Sequence, residues 1–291
     1  MTEPLRLRAR VDAPVDTVRR ALTDPAALRT WLAEYAEVDL PDRYEFWGRY
    51  TPDGAEPRQR VLHADDQTIR LEWTVHGQAT TTEIAIAPES DAATVISVSQ
   101  SHVPDWTQVV REQGLAALST FWSLSIANLI TYLEGREPTL KCDFVSDDMR
   151  AHVDIAASPQ DVYESLMNPE SFERLFGAKV GIEPHVGGRW QMGGFDSPTP
   201  PAKFLELVAG RKVTMAWPDL VSTWELEGSA GRTRITFVQS GFDEPPYAGW
   251  LGWLGGMVEL RRFHEVPNWR PMWLGIEMPG IPEGMVTVGE A

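Results

Sequence analysis

The chain has a single cysteine, Cys142, so it can form no intrachain disulfide, and a Cys-rich zinc site cannot be written into it. Its six histidines, at 63, 76, 102, 152, 185 and 264, contain no HExxH and no close pair, which leaves a metal centre without ligands and argues for no metal and no cofactor. Basic charge is scarce: 26 Lys and Arg stand against 42 Asp and Glu, a formal charge of -16 that repels phosphate backbones and anionic lipid, so neither nucleic acid nor a membrane surface is an expected partner. There is no long uninterrupted apolar run. The longest helical one, Leu115 to Leu133, is broken by Ser119, Thr120, Ser123, Ser125 and Asn128, against a membrane span, and residues 1 to 30 show no apolar core of a secretory signal. The expectation is a soluble protein of the reducing cytoplasm. Phosphate loops and nucleophile elbows are missing too: Gly249 to Gly256 has the wrong spacing, and Gly228-Ser229-Ala230-Gly231 reads as a hairpin turn. No catalytic residue emerges.

What the chain does have is a repeat. Val11 to Leu32 aligns without a gap on Ile155 to Phe176, and Asp24-Pro25 falls on Asn168-Pro169, each an N-cap followed by proline at the first helical position. Leu28, Trp31 and Leu32 match Phe172, Leu175 and Phe176 as a one-face helical stripe. Before these helices Leu5, Leu7, Ala9 and Val11 alternate with charged residues, as do Met149, Ala151, Val153 and Ile155. Further alternating strands follow, with Trp73 and Trp217 in corresponding places, and each copy ends in a strand closing on Gln-Ser and a long helix. The pattern predicts domains at 1–135 and 149–265, a polar linker at 136–148, and a tail at 266–291 whose apolar Trp269, Met272, Trp273 and Ile276 pin it to a domain.

Ala21-Leu22-Thr23-Asp24-Pro25 with Leu28 and Trp31, the strand ending Gln100-Ser101, Tyr132-Leu133-Glu134, Gly187-Gly188-Arg189-Trp190, Thr233 to Phe237 and Ser240-Gly241-Phe242 resemble the START-like (SRPBCC) superfamily, in the branch homologous to the activator of heat-shock-protein-90 ATPase. The resemblance implies an α+β fold of two tandem helix-grip domains, each a curved antiparallel sheet wrapped around a long C-terminal helix. It also implies a cavity between sheet and helix for a lipid, sterol, hormone or polyketide, and similar folds occur in polyketide and enediyne pathways. Many relatives carry histidine where Gln100 and Gln239 stand here.

Twelve tryptophans are the most unusual feature of the composition. They either fill two cores, as aromatics ordinarily do, or line a cavity for a flat guest. The candidate lining is Trp31, Phe46, Trp73, Gln100 and Trp122 in the first copy, and Phe176, Trp190, Met192, Trp217, Trp224, Phe237, Gln239, Trp253, Gly256 and Met257 in the second. Gly252, Gly255 and Gly256 on the second long helix either open space beside the sheet or allow close packing. Gln100 and Gln239 face inward by strand phase, and an amide is no general acid or base, which ranks binding above catalysis. The expected function is binding of a hydrophobic, polycyclic aromatic or polyketide-like small molecule, for carriage, sequestration or self-resistance. A cyclase or dehydratase and a chaperone-ATPase-activator-like interaction module, with a protein partner, are the alternatives.

Overall fold

The computed structural model describes residues 3–109 and 114–281. Strict alternation makes β1 (Leu5–Val11), whose Leu5, Leu7, Ala9 and Val11 are buried while Arg6 and Arg8 are exposed. After Pro14 comes α1 (Val15–Thr23), and Asp24 then caps α2 (Pro25–Trp31), its carboxylate accepting from the Ala26 amide at 2.9 Å. A two-stranded ribbon, β2 (Tyr35–Asp39) with β3 (Arg43–Trp47), precedes the antiparallel run β4 (Gln59–Ala64), β5 (Thr68–Val75), β6 (Gln78–Ser90) and β7 (Ala93–Gln100). The short α3 (Trp106–Val109) and a 3-10 turn at Gly114–Ala116 lead to the long α4 (Ala117–Leu133).

The second half repeats this order. After β8 (Arg150–Ile155), Ser158 caps α5 (Pro159–Met167) and Asn168 caps α6 (Pro169–Phe176), which Gly177 ends in the left-handed conformation, φ 65°. Then come β9 (Val180–Ile182), β10 (Arg189–Met192), β11 (Ala202–Val208), β12 (Lys212–Ala216), β13 (Val221–Ser229), β14 (Arg232–Ser240) and the long α7 (Tyr247–Glu265), followed by β15 (Trp273–Glu277). The sheets run β15-β1-β7-β6-β5-β4 and β8-β14-β13-β12-β11-β10-β9, antiparallel throughout. The fold is thus α+β, two helix-grip units in tandem. Even irregularities recur: β4 slips register around Leu62 and β11 around Leu205, and both bulged leucines turn to solvent.

The long helices lie side by side in the same direction and bury one another. Thr120 Oγ1 donates to the Ala248 carbonyl at 2.8 Å near their starts, and Arg262 Nε donates to Glu134 at 3.1 Å near their ends. The polar residues that interrupt the apolar run of α4 have local uses: Ser119, Ser123 and Thr131 bond carbonyls one turn back, and Asn128 holds the chain at Thr139 through its oxygen (3.0 Å) and its nitrogen (3.3 Å). With its leading turn α4 is long and apolar enough to cross a membrane, but it is mostly buried inside the protein.

The segment 136–148, polar in sequence, is stitched down along its length. Lys141 Nζ donates to the carbonyls of Arg29 (2.7 Å) and Ala33 (3.0 Å), Cys142 is buried, and the Phe144 amide donates to Arg49 (2.8 Å). Arg136 donates to the Glu265 carboxylate at 2.9 Å, and the other oxygen of that carboxylate accepts from the Ala156 amide at 3.0 Å. The tail returns to the first half, where β15 pairs with the free edge of β1 and Trp273 and Met272 are buried; residues 282–291 of the expected tail lie outside the described residues.

Candidate functional site

Each half places a glutamine at the end of its last strand, facing its long helix, and a hydroxyl residue directly across from it. Gln100 on β7 is opposite Thr82 on β6, and Gln239 on β14 is opposite Ser222 on β13. The two amides differ in how they are satisfied. Gln100 Oε1 accepts from Thr82 Oγ1 at 2.6 Å and from Trp122 Nε1 at 2.9 Å, while its Nε2 donates to the Ser101 carbonyl at 3.1 Å. Gln239 Nε2 donates to Ser222 Oγ at 3.2 Å, and that same oxygen accepts from Trp217 Nε1 at 3.0 Å. Gln239 Oε1, in a residue only 5% exposed, has no hydrogen-bond partner among the described residues.

The aromatic candidates separate in the same way. In the first half Trp31, Phe46, Trp73 and Trp122 are all essentially fully buried; Phe46 meets Trp73 at 5.1 Å and Trp122 at 6.2 Å between ring centres, edge to face, and Trp31 Nε1 is held by the Ala21 carbonyl at 3.1 Å. These side chains close on one another as an ordinary core.

In the second half Trp253 of α7 is a hub. Trp224, Trp190, Phe237, Phe176 and Trp217 surround it at 5.2, 5.6, 5.7, 6.0 and 6.4 Å. Trp217 and Phe176 are only partly buried, so the cluster reaches the surface on their side. Trp217 lies just past the end of β12, where Pro218 follows, whereas Trp73, its counterpart in sequence, sits inside β5. Beneath the cluster is a void of about 10 Å³, bounded by Leu166, Met167, Phe172, Trp190, Met215 and Trp253 among others. That is room for one water at most. Met257 is fully buried and Met192 partly so.

Gly252, Gly255 and Gly256 of α7 do not together open space beside the sheet. Gly252 faces Thr120 across the helix seam, where an added Cβ would make ordinary contact at 3.5 Å; Gly255 has no neighbour within 4 Å; and the face of Gly256 is taken by the ring of Phe176. Sequence reasoning missed Ser222 and the α5 residues Leu166 and Met167. Ser222 was open to detection, because the inward phase of β13 puts it beside Gln239.

The buried charged side chains Glu259 and Arg262 lie elsewhere, in the seam between the long helices. Arg262 joins Glu134 of α4's end to Glu259, and burial pushes the Glu259 carboxyl up to about 7 against the opposing pull of Arg262. Among the described residues no three His, Cys, Asp or Glu side chains are grouped to hold a metal ion.

Residues 156–249 match the family model described as Activator of Hsp90 ATPase homolog 1-like protein. No curated protein matches the chain. Similar solved structures include DynU16, a putative protein in the dynemicin biosynthetic locus, at 14% identity and TM-score 0.36 over 91% of this chain and 100% of that one. CalU16 from Micromonospora echinospora is similar at 21% identity and TM-score 0.36 over 46% of this chain and 75% of that one. The Aha1 dimer from Colwellia psychrerythraea is similar at 17% identity and TM-score 0.36 over 41% of this chain and 96% of that one.

Proposed function

We propose that this chain, similar over residues 156–249 to Activator of Hsp90 ATPase homolog 1-like proteins, is a carrier or sequestering protein that holds one flat aromatic small molecule in its second half. The observation that supports the reading is the contrast between the two glutamines. A buried acceptor left unpaired costs about 1–3 kcal/mol, so Gln239 destabilises the empty protein unless something completes it. Gln100, in the corresponding place, has partners for both its oxygen and its nitrogen without a guest.

The chemistry of the site narrows the guest. Turning the Gln239 amide over would let Ser222 donate to its oxygen but would strand the NH2 group instead, so either orientation leaves one unmet bond. A phenolic hydroxyl, both donor and acceptor, satisfies either. The aromatic faces and edges of Trp217 and Trp253 favour a planar ring system over an aliphatic chain. The void is lined by apolar side chains and the polar group beside the cluster is an amide, which fits holding a guest more than transforming it.

The test uses 1,2-dihydroxyanthraquinone (alizarin) as probe. Saturable quenching of tryptophan fluorescence is expected, and Gln239→Leu should weaken the apparent affinity about fivefold, the equivalent of roughly 1 kcal/mol for one hydrogen bond. Absence of saturable quenching, or an affinity untouched by that substitution, refutes the reading.

A further inference from the structure

A void of about 10 Å³ cannot take an aromatic guest, so whatever room the guest uses is now occupied by the chain. The packing of Phe176 identifies the occupant. This residue ends α6, and its ring stacks on Phe172 one turn earlier with centres 4.1 Å apart and planes 4° from parallel. Its edge lies directly on the backbone of α7: a Cβ added to Gly256 would stand 1.8 Å from Cε1 and 2.6 and 2.7 Å from two further ring carbons. Glycine is therefore required at 256 for this pose. It stands in the middle of a 19-residue helix, where glycine is a poor helix former next to alanine.

The slot so formed has one aromatic face, Phe172, one flat backbone wall, Gly256, and Trp253 beside it, whose ring lies 76° from the plane of Phe176. Phe172 is buried, but Phe176 is partly exposed and stands at the very end of its helix, before the left-handed Gly177. Rotation of its side chain toward solvent breaks no backbone hydrogen bond of α6.

We infer that the slot between Phe172 and Gly256 is a subsite for one terminal aromatic ring of the guest, and that Phe176 occupies it in the empty protein and leaves when the guest arrives. The inference rests on the reading of the second half as a binding site, and it adds which ring-sized space is used and what must move. A guest ring in the slot would stack on Phe172 as Phe176 does now, so its required feature is planarity at one end, with the hydroxyl that addresses Gln239 elsewhere on the molecule.

Alizarin is titrated against the full chain and against Phe176→Ala and the double variant Phe176→Ala/Gly256→Ala, in which the missing ring removes the clash that a lone Gly256→Ala would create. Phe176→Ala should bind about tenfold more tightly, since no ring has to be displaced, and the added methyl of the double variant should abolish that gain. In the wild-type complex, NMR cross-relaxation is expected between alizarin ring protons and the Gly256 Hα protons. Unchanged or weaker binding by Phe176→Ala overturns the inference; if the wild type still binds and Gln239→Leu still weakens it, the binding function survives without this subsite. Binding by Phe176→Ala with none by the wild type overturns the displacement, and no binding by either removes both readings. A double variant as tight as Phe176→Ala, or no contact with Gly256 Hα, also counts against the slot.

Discussion

Replacing Gln239 by leucine should leave the empty protein as stable as before or make it more so, while the same replacement at Gln100 should damage it. At 239 the leucine removes one hydrogen bond of 3.2 Å to Ser222, a net loss of about 1 kcal/mol, and also removes a buried acceptor that lacks a partner, a relief of about 1–3 kcal/mol. Ser222 Oγ keeps its bond from Trp217, so no new orphan is made on the acceptor side. The balance is between roughly zero and 2 kcal/mol in favour of the variant. At 100 the leucine removes three hydrogen bonds and leaves the buried Thr82 hydroxyl and Trp122 indole N–H unmet, which should cost about 2–5 kcal/mol. Urea unfolding followed by circular dichroism, comparing midpoints at constant slope, resolves differences of that size. If Gln239→Leu destabilised the empty protein as much as Gln100→Leu, the Gln239 oxygen would have a partner in solution and the asymmetry between the halves would lose its basis.

Other consequences are open to measurement. Burial raises the Glu259 carboxyl from 4.5 to about 7, so the folded state holds a proton that the unfolded chain releases, and this group's contribution is full below about 4.5 and lost as pH rises through about 7. Stability should therefore fall with pH across that window more steeply in the wild type than in Glu259→Gln, and equal slopes in thermal melts would contradict the assignment. Trp273→Ala, although near the C-terminus, should destabilise the first half by about 3 kcal/mol, because the side chain is buried on a strand paired with β1. Its local signature is faster hydrogen exchange at the Arg10 amide, which donates to the Met272 carbonyl at 2.8 Å; an unaltered exchange rate there would refute the dependence of β1 on the tail.

Much of this architecture is legible in the sequence because it rests on local periodicity. The alternation in Leu5 to Val11 and the caps at Asp24 and Asn168 dictate strands and helices from near neighbours alone, and strand phase turns Gln100 and Gln239 inward. Other features depend on contacts between distant residues. Whether an inward amide is satisfied turns on Trp122 reaching Gln100 from another element, with no equivalent donor reaching the Gln239 oxygen among the described residues. The glycines of α7 look alike in sequence and meet three different environments, one of them a ring from α6. The polarity of 136–148 suggests a solvated connector, yet Asn128 and the carbonyls of Arg29 and Ala33, in and just after the last turn of α2, bind it down. The apolar residues of the tail announce that it docks, but only the fold shows that the edge of β1 receives it.

The most direct test of the central claim is the stoichiometry and address of binding, measured by isothermal titration calorimetry of alizarin into the full chain. One molecule per chain is expected, with a negative heat-capacity change from apolar burial and an affinity reduced by Gln239→Leu but not by conservative changes around Gln100 such as Thr82→Ser. Two equivalent sites per chain, or one site whose affinity follows Thr82 and ignores Gln239, would contradict the account.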